Sequence, residues 1–152
     1  MTGSGAIRAR EAELEVEFPP KPEFVRMVRH AVSALARLHG ADEDVVENVK
    51  LAVSEACNTA IAQNAAGQDA VLILARSGPN GLVVDVLDAG PVRDHEVSGP
   101  PGEIETDELP FDRALAVPII RGLVDELAIS PRDGGGSVLR MRLSLGGELP
   151  PS

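Results

Sequence analysis

A chain of 152 residues, of which 43% are hydrophobic and 25% charged, has the size and composition of one folded domain and excludes wholesale disorder. Its net charge of −10 and its aromatic content of 2% argue against direct binding to nucleic acid, which uses basic patches and stacking rings. A single cysteine excludes an internal disulfide, and no stretch approaches a membrane span, so we expect a cytoplasmic protein that binds no membrane.

The first part of the chain predicts one strand followed by two helices. Apolar and acidic residues alternate over 11–18, which is the period of a half-buried strand. Apolar residues at helical spacing then cover 24–38, and Gly40 follows where a C-terminal cap is expected. Asp42 offers an N-cap for a second helix, which the apolar spacing extends to about Asn64.

A hairpin and a long loop come next. Residues 70–76 and 82–88 are β-rich and are separated by a five-residue connection that contains Gly and Pro, which predicts an antiparallel pair. Residues 89–110 contain four prolines and show little periodicity. A loop of that length in a compact domain usually closes over a site, or else is simply mobile.

The last part predicts a third helix and two strands. Pro118 is compatible with the first turn of a helix but not with its interior, so we expect the helix to start near Val117. Its buried stripe is expected to consist of residues at i, i+4 spacing: Leu115, Ile119, Leu123 and Leu127. The two strands are expected at about 127–130 and 137–145.

This order of elements predicts an α+β fold. Helices and strands are segregated in a way that favours a two-layer α/β sandwich, with a mostly antiparallel sheet covered on one face by three helices. We expect a single domain over 11–145, with flexible tails at 1–10 and 146–152.

The unusual polar residues lie on the second helix and at the end of a later strand. Glu55, Thr59 and Gln63 follow one another at i, i+4 steps and therefore share a helix face. Asp88 ends the second strand of the hairpin, on the face of Val84 and Val86, so a carboxylate directed at the packed side of the sheet needs a hydrogen-bond partner.

These features, with the run Val53-Ser54-Glu55-Ala56-Cys57 and the Asp88-Ala89-Gly90 sequence, resemble the GHKL (histidine kinase-like) ATPase superfamily over about residues 11–145. The superfamily includes histidine kinases, gyrase B, the heat-shock chaperone and the MutL proteins. Within it the chain is similar to the bacterial anti-sigma serine-protein kinases. The resemblance implies a Bergerat-type ATPase fold that binds ATP and Mg²⁺.

The resemblance also implies roles for individual residues. Glu55 would be the catalytic residue that assists the attacking hydroxyl, and Asp88 with Gly90 would bind the adenine. The family's Mg²⁺-binding Asn would lie four residues after the Glu, where this chain has Thr59, while Asn58 comes one residue early. Thr is the weaker ligand of the two, because an amide oxygen is the better acceptor for octahedral Mg²⁺.

The phosphate-binding glycines of the family are also altered here. Ala114 and Ala116 stand where paired glycines would let backbone amides approach the phosphates, and a methyl group crowds that approach. Val92 replaces a further glycine, and Ser137 follows Gly136 where the family has Gly-Thr. The nucleotide-binding motifs are thus degenerate.

Two functions remain open from the sequence. In the first, the protein is an anti-sigma factor of the stress-response type that sequesters a sigma factor, with a serine-protein kinase fold that phosphorylates an anti-sigma factor antagonist using ATP. In the second, it is a catalytically inactive, nucleotide-free module of the same fold that binds its partner by stoichiometry alone. The resemblance adds a homodimer as a further partner.

Overall fold

The computed structural model describes residues 11–64, 69–89, 111–133 and 135–145, with the backbone alone described for 111–114. Gly90 and the tails predicted at 1–10 and 146–152 lie outside these residues. Across the described part of the chain, no helix combines the length and apolar character that crossing a bilayer requires. The elements, in chain order, are β1 (Leu14–Phe18), α1 (Val25–Leu38), α2 (Glu43–Asn64), β2 (Val71–Gly78), β3 (Gly81–Asp88), α3 (Phe111–Arg121), β4 (Glu126–Pro131) and β5 (Ser137–Leu143), with a 3-10 turn at Pro22–Phe24.

The described strands form one antiparallel sheet in the order β1-β2-β3-β5-β4. Side chains alternate between its two faces, and Ile73, Val84 and Met141 lie on the face that packs against helices. The three helices share one hydrophobic core with that face. The prediction of an α+β two-layer sandwich, with helices on one side of an antiparallel sheet, is confirmed.

Fully buried aliphatic side chains join the two layers. Val28 of α1 and Val49 and Val53 of α2 are 0% exposed, as are Ile73 and Met141 of the sheet. Burial of a side chain of this size contributes about 1.5–3 kcal/mol. The core therefore fixes α2 firmly above the sheet, between α1 and α3, both of which pack against it.

The opposite face of the sheet carries an ion pair that fixes the register of β3 and β5. Arg140 donates from Nε and Nη2 to the two carboxylate oxygens of Asp85, at 2.8 and 2.9 Å, and Asp85 is fully buried. These residues are directly opposite each other in the ladder, as are Asp88 and Ser137 three residues further along. A slip of one residue would break both pairs, so the ion pair also secures the position of Asp88.

The predicted ends of the first two helices are confirmed. Gly40 follows α1 with φ +87°, a left-handed conformation that glycine adopts without strain, and its amide nitrogen donates to the carbonyl of Arg37 at 3.0 Å. Asp42 precedes α2, and its carbonyl accepts the first helical hydrogen bond, from the amide of Val46, at 2.9 Å.

The prediction for α3 is wrong in two respects. The helix begins at Phe111 rather than near Val117, and Pro118 lies inside it. Leu115 and Ile119, expected to be buried, are 56% and 52% exposed, whereas Ala116, Val117 and Ile120 are buried. Proline has no amide hydrogen and therefore removes one helical hydrogen bond. Pro118 lies on the exposed side of α3, and burial of the opposite side of the helix offsets that loss. The helix ends three residues after Pro118.

The ends of the strands also differ from the prediction. β2 continues to Gly78 and β3 starts at Gly81, so the hairpin connection is the pair Pro79-Asn80 rather than five residues. Leu127, expected both in the stripe of the third helix and at the start of the strand at 127–130, belongs to β4 alone, where it is buried. The apolar pattern marked the core correctly but did not separate a helix end from a strand start.

Candidate functional site

Asp88 is the most enclosed acidic group on the helix side of the sheet. It is the last residue of β3 and is 2% exposed. Its neighbour across the ladder, Ser137, donates from its amide nitrogen to Oδ1 at 3.2 Å and from its hydroxyl to Oδ2 at 3.0 Å. Both oxygens of the carboxylate are thus held by one residue. Asp88 is therefore a fixed acceptor at the base of the helical layer.

The peptide group between Asp88 and Ala89 is held by side chains at both of its polar atoms. Arg132 donates from Nη1 to the carbonyl oxygen of Asp88 at 2.7 Å. The amide nitrogen of Ala89 donates to Oδ1 of Asn64 at 3.0 Å. Asn64 in turn donates from Nδ2 to the carbonyl of Asp69 at 3.0 Å and lies 3% exposed at the end of α2. The turn before β5 and the last residue of α2 thus meet at this peptide.

Gly136 makes this close approach possible. Its φ is +89°, in the left-handed region that disfavours other residues, and a Cβ at this position would collide with the carbonyl oxygen of Asp88 and lie 2.7 Å from Cα of Ala89. The Gly136-Ser137 pair therefore serves two purposes. The glycine admits the Asp88–Ala89 peptide, and the serine binds the carboxylate.

Glu55 lies on one edge of the exposed strip of α2. The strip consists of Leu51, Asn58 and Ala62, and Glu55 beside it is half-buried. The other edge is marked by Ser54, whose hydroxyl accepts from Nη1 of Arg29 in α1 at 3.5 Å. Because α2 lies between α1 and α3, Glu55 is on the edge directed away from α1, on the α3 side.

Thr59 and Asn58, the residues predicted for the metal, face different directions. Thr59 is 5% exposed, and its hydroxyl donates to the carbonyl oxygen of Glu55 at 2.9 Å. Asn58 is exposed and is turned by about 100° from Thr59 around the helix. In the part of the chain that is described, no group of three or more His, Cys, Asp or Glu could hold a metal. The amide oxygen that would suit Mg²⁺ is therefore not on the edge of Glu55.

Glu55 and Asn64, the residue that contacts the Asp88–Ala89 segment, lie at different positions along α2. Asn64, which contacts the residue after Asp88, is nine residues beyond Glu55, a rise of about 13 Å along the helix. Glu55 thus lies near the middle of α2, whereas the Asp88–Ala89 segment meets the end of that helix. Such a separation suits an elongated ligand more than a small one.

The predicted phosphate-binding positions are described only in part. Ala116 is 5% exposed on the buried side of α3. Ala114 belongs to the same helix, with only its backbone described, and Gly90 is outside the described residues. The structure thus gives a place for Ala116 without showing what approaches it.

Cys57 is not a candidate nucleophile. It is fully buried in the core, and burial raises the pKa of its thiol to about 12. A thiol with that pKa stays protonated near neutral pH and is unreactive. Cys57 thus serves as a small core residue.

Sequence reasoning did not identify Asn64 and Arg132 as site residues. It assigned Asn64 to the end of a helix and Arg132 to a turn, because their partners are backbone atoms that no residue pattern marks. One signal was present for Asn64. A buried polar residue at the end of a largely apolar helix needs partners, and the backbone beside a strand end can supply them.

Comparison with known proteins shows the family to which the chain is similar. The family described as histidine kinase-like ATPase domain matches residues 18–143, more than half of the chain. The serine-protein kinase RsbW of Bacillus velezensis is 29% identical over 127 residues, which cover 80% of this chain and 79% of the relative. The protein of the same name from Bacillus subtilis is 30% identical over 128 residues, with 80% and 79% covered.

A solved structure shows the same fold. The crystal structure of the RsbU and RsbW domains of a Mycobacterium tuberculosis protein superposes with a TM-score of 0.63 at 17% identity, covering 87% of this chain and 32% of the solved one. At this identity the likeness concerns the fold alone. Together with the family match and the Bacillus relatives, these findings show that the chain belongs to the histidine kinase-like ATPase family and is a homologue of the RsbW serine-protein kinases.

Proposed function

We propose that this protein is an anti-sigma factor that sequesters a sigma factor and binds an adenine nucleotide between α2, α3 and the sheet. The observation that carries the nucleotide half of the proposal is the buried Asp88, held by Ser137 at the end of β3. An acceptor fixed in this way pairs with the 6-amino group of adenine and not with the carbonyl that guanine has at the same position.

Glu55 is proposed as the group that handles the proton of an attacking serine hydroxyl from the antagonist protein. It lies about 13 Å along α2 from the residue that contacts the Asp88 segment, so base and terminal phosphate would occupy opposite ends of the site. A carboxylate can accept that proton if it is within hydrogen-bond reach of the hydroxyl. Its half-buried position leaves it accessible from the α3 side.

The residues at the metal-binding position match the family's pattern poorly in this chain. When bound, Mg²⁺ neutralises charge on the transferring phosphates. Thr59 offers one hydroxyl that is already bonded to the helix backbone, and Asn58 faces outward. Neither residue is placed to be a strong ligand for the metal. We therefore propose that nucleotide binding here depends little on Mg²⁺ and that phosphate transfer is slow.

The lack of a strong metal ligand at Thr59 and Asn58 also favours a second candidate function. A chain that lost its metal ligand and its phosphate-binding glycines, Ala114 and Ala116 standing in their place, would retain the partner-binding surface without kinase activity. It would then act as an inactive module that sequesters its partner by stoichiometry. The two functions differ in whether nucleotide binds and in whether phosphate is transferred.

We propose the exposed side of α1 as the surface that binds the partner protein. Met27 and Leu38 are 51% and 77% exposed there, with the basic residues Arg26, His30 and Arg37 also exposed. The helix contains no acidic residue, although the whole chain has a net charge of −10. An apolar stripe bordered by positive charge fits an acidic amphipathic segment of a partner.

The homodimer is a separate proposal. β1 is an edge strand of the sheet, but Glu15 and Glu17 alternate along it, and acidic residues on an edge oppose pairing with a second copy. Pairing of two copies through β1 is therefore disfavoured. Light scattering at two protein concentrations tests for the dimer.

The decisive experiment is thermal unfolding with nucleotides. A ligand at about 100 times its Kd stabilises the folded state by about 2.7 kcal/mol, which raises the Tm of a chain of this size by about 5 °C or more. We expect this rise with ADP and ATP in the absence of Mg²⁺ and a smaller one with GTP. No rise with any nucleotide at millimolar concentration would leave the stoichiometric module as the function.

A further inference from the structure

The Asp88–Ala89 peptide is fixed by two side chains that come from separate elements. Arg132 lies in the turn between β4 and β5 and bonds the carbonyl of Asp88 at 2.7 Å. Asn64 ends α2 and accepts the amide of Ala89 at 3.0 Å. Both polar atoms of one peptide group are thus engaged outside the β-ladder. We refer to Asn64 and Arg132 as the peptide clamp.

The peptide held by the clamp is also closely packed against Gly136. Gly136 approaches the same peptide so closely that a methyl group would collide with its carbonyl oxygen. Asn64 is itself anchored, because its amide group donates to the carbonyls of Asp69 and Ala70 at 3.0 and 3.4 Å. The peptide can therefore neither rotate nor shift without breaking several bonds in a buried place, where an unpaired polar group is costly.

The position of this peptide bears on the position of the Asp88 carboxylate, because the peptide is bonded directly to the Cα from which that side chain leaves. The side chain leaves the backbone at the residue whose carbonyl Arg132 holds, and its two oxygens already accept bonds from Ser137. Recognition of an amine by a fixed acceptor requires placement within a few tenths of an ångström. A rotation of the peptide would move the carboxylate away from the base without removing any group that touches it.

We propose that Asn64 and Arg132 are positioning residues that set the selectivity of the site for a purine bearing a 6-amino group. This inference rests on the proposed nucleotide binding at Asp88. Neither residue needs to contact the nucleotide. Their effect acts through Asp88 and so appears as discrimination between bases rather than as affinity for the phosphates.

The test compares ADP with IDP, which carries an oxygen in place of the 6-amino group, by calorimetry on the full chain without Mg²⁺. The variants are Asn64→Ala and Arg132→Met. Ser33→Ala is the control, because Ser33 is also a buried polar residue, bonded to the carbonyl of Arg29 within α1 and away from the site. We expect each clamp variant to weaken ADP binding about tenfold and IDP binding less than twofold, from the loss of one bond to the peptide.

Three further results bear on the proposal. Arg132→Lys, which keeps a donor, is expected to restore part of the ADP preference, and the double variant is expected to lose no more than the larger single one, because both side chains act on one peptide. Ser33→Ala is expected to lower the Tm with an unchanged ADP-to-IDP ratio. Arg132 is only half-buried, so its variants report on the clamp even where Asn64→Ala does not fold.

The outcomes separate the clamp from the proposed function. An equal loss of ADP and IDP affinity in the clamp variants would show a merely structural role and overturn the positioning role. Failure of the unmodified chain to bind ADP would overturn the nucleotide half of the proposed function and, with it, the clamp. Binding of ADP with an unchanged preference in both variants would overturn the clamp alone.

Discussion

Ser137 binds both carboxylate oxygens of Asp88, one through its amide nitrogen at 3.2 Å and the other through its hydroxyl at 3.0 Å. The amide bond is available to any residue except proline at this position, but the hydroxyl bond requires Ser or Thr. The pair lies where β3 ends and β5 begins. One of the two bonds that Ser137 makes to Asp88 thus depends on a hydroxyl that can be removed without moving the backbone.

Removal of that hydroxyl should weaken nucleotide binding modestly. Ser137→Ala keeps the amide bond to Oδ1 and loses the bond to Oδ2, so we expect a loss of about 1 kcal/mol in stability and a drop of about fivefold in ADP affinity. Ser137→Thr retains the hydroxyl and serves as the matched variant. Calorimetry and chemical denaturation measure the two quantities, and an ADP affinity unaffected by Ser137→Ala would separate Ser137 from the base.

A charge-neutral change at Glu55 should separate chemistry from binding. Glu55→Gln keeps the size of the side chain and removes the carboxylate that we propose as the acceptor of the serine proton, so we expect phosphate transfer to fall at least a hundredfold while ADP and partner binding change less than twofold. Transfer of labelled phosphate to the antagonist protein measures the first. Glu47→Gln, at an exposed position of the same helix, is the control. Parallel loss of transfer and nucleotide binding would assign Glu55 a structural role.

Exchange of the two residues after Cys57 should restore a metal ligand. The double variant Asn58→Thr, Thr59→Asn places the amide on the edge of Glu55, and we expect MgATP to bind more tightly while ATP without Mg²⁺ is unchanged. The gain should carry a stability cost of about 1–3 kcal/mol, since Thr59 is 5% exposed and its bond to the Glu55 carbonyl is lost. Asn58→Thr alone is the control. A double variant without a magnesium-dependent gain would mean that other groups limit the metal.

An acidic substitution on α1 should abolish partner binding and leave the fold intact. Met27 and Leu38 are more than half exposed, so Met27→Asp and Leu38→Asp remove little buried area but place negative charge in the proposed docking stripe. We expect the affinity for the sigma factor to fall at least tenfold, with the Tm unchanged within about 2 °C. Leu51→Asp, at a similarly exposed apolar position of α2, is the control. An equal effect of all three variants would point to charge in general and not to α1.

The sequence supported the prediction of the layers and of the strands because both follow from apolar periodicity. Asp88 was placed correctly on the packed face because Val84 and Val86 precede it at a spacing of two, and the structure finds its partner in Ser137. The start of α3 was mispredicted because a local rule about Pro118 was applied where burial of Ala116 and Ile120 outweighs the lost hydrogen bond.

The peptide clamp was beyond the reach of pattern reasoning. Asn64 and Arg132 are 68 residues apart in the chain and meet only because β3 ends between α2 and the turn before β5. Their partners are main-chain atoms, which every residue possesses, so no residue type signals the contact. These contacts can be recognised only in the folded structure, which brings three chain segments to one peptide.

Acid should weaken the fold through Glu13. Its carboxylate accepts the amide of Ser77 at 2.6 Å and lies 3.0 Å from Nε2 of His39, so it joins the start of β1 to the end of β2 and to the end of α1. The bond from Ser77, with a smaller contribution from His39, lowers the pKa of Glu13 in the folded state. A carboxyl with a lowered pKa stabilises the fold above its unfolded pKa, about 4.3, and that stabilisation is lost as the pH falls through the folded value.

Glu13→Gln should therefore lower the free energy of unfolding at pH 7, and its difference from the unmodified chain should shrink toward pH 3. Urea denaturation across this range measures the difference, with Glu15→Gln as the control on the same segment. A difference that does not change with pH would mean that Glu13 acts through packing and not through its charge.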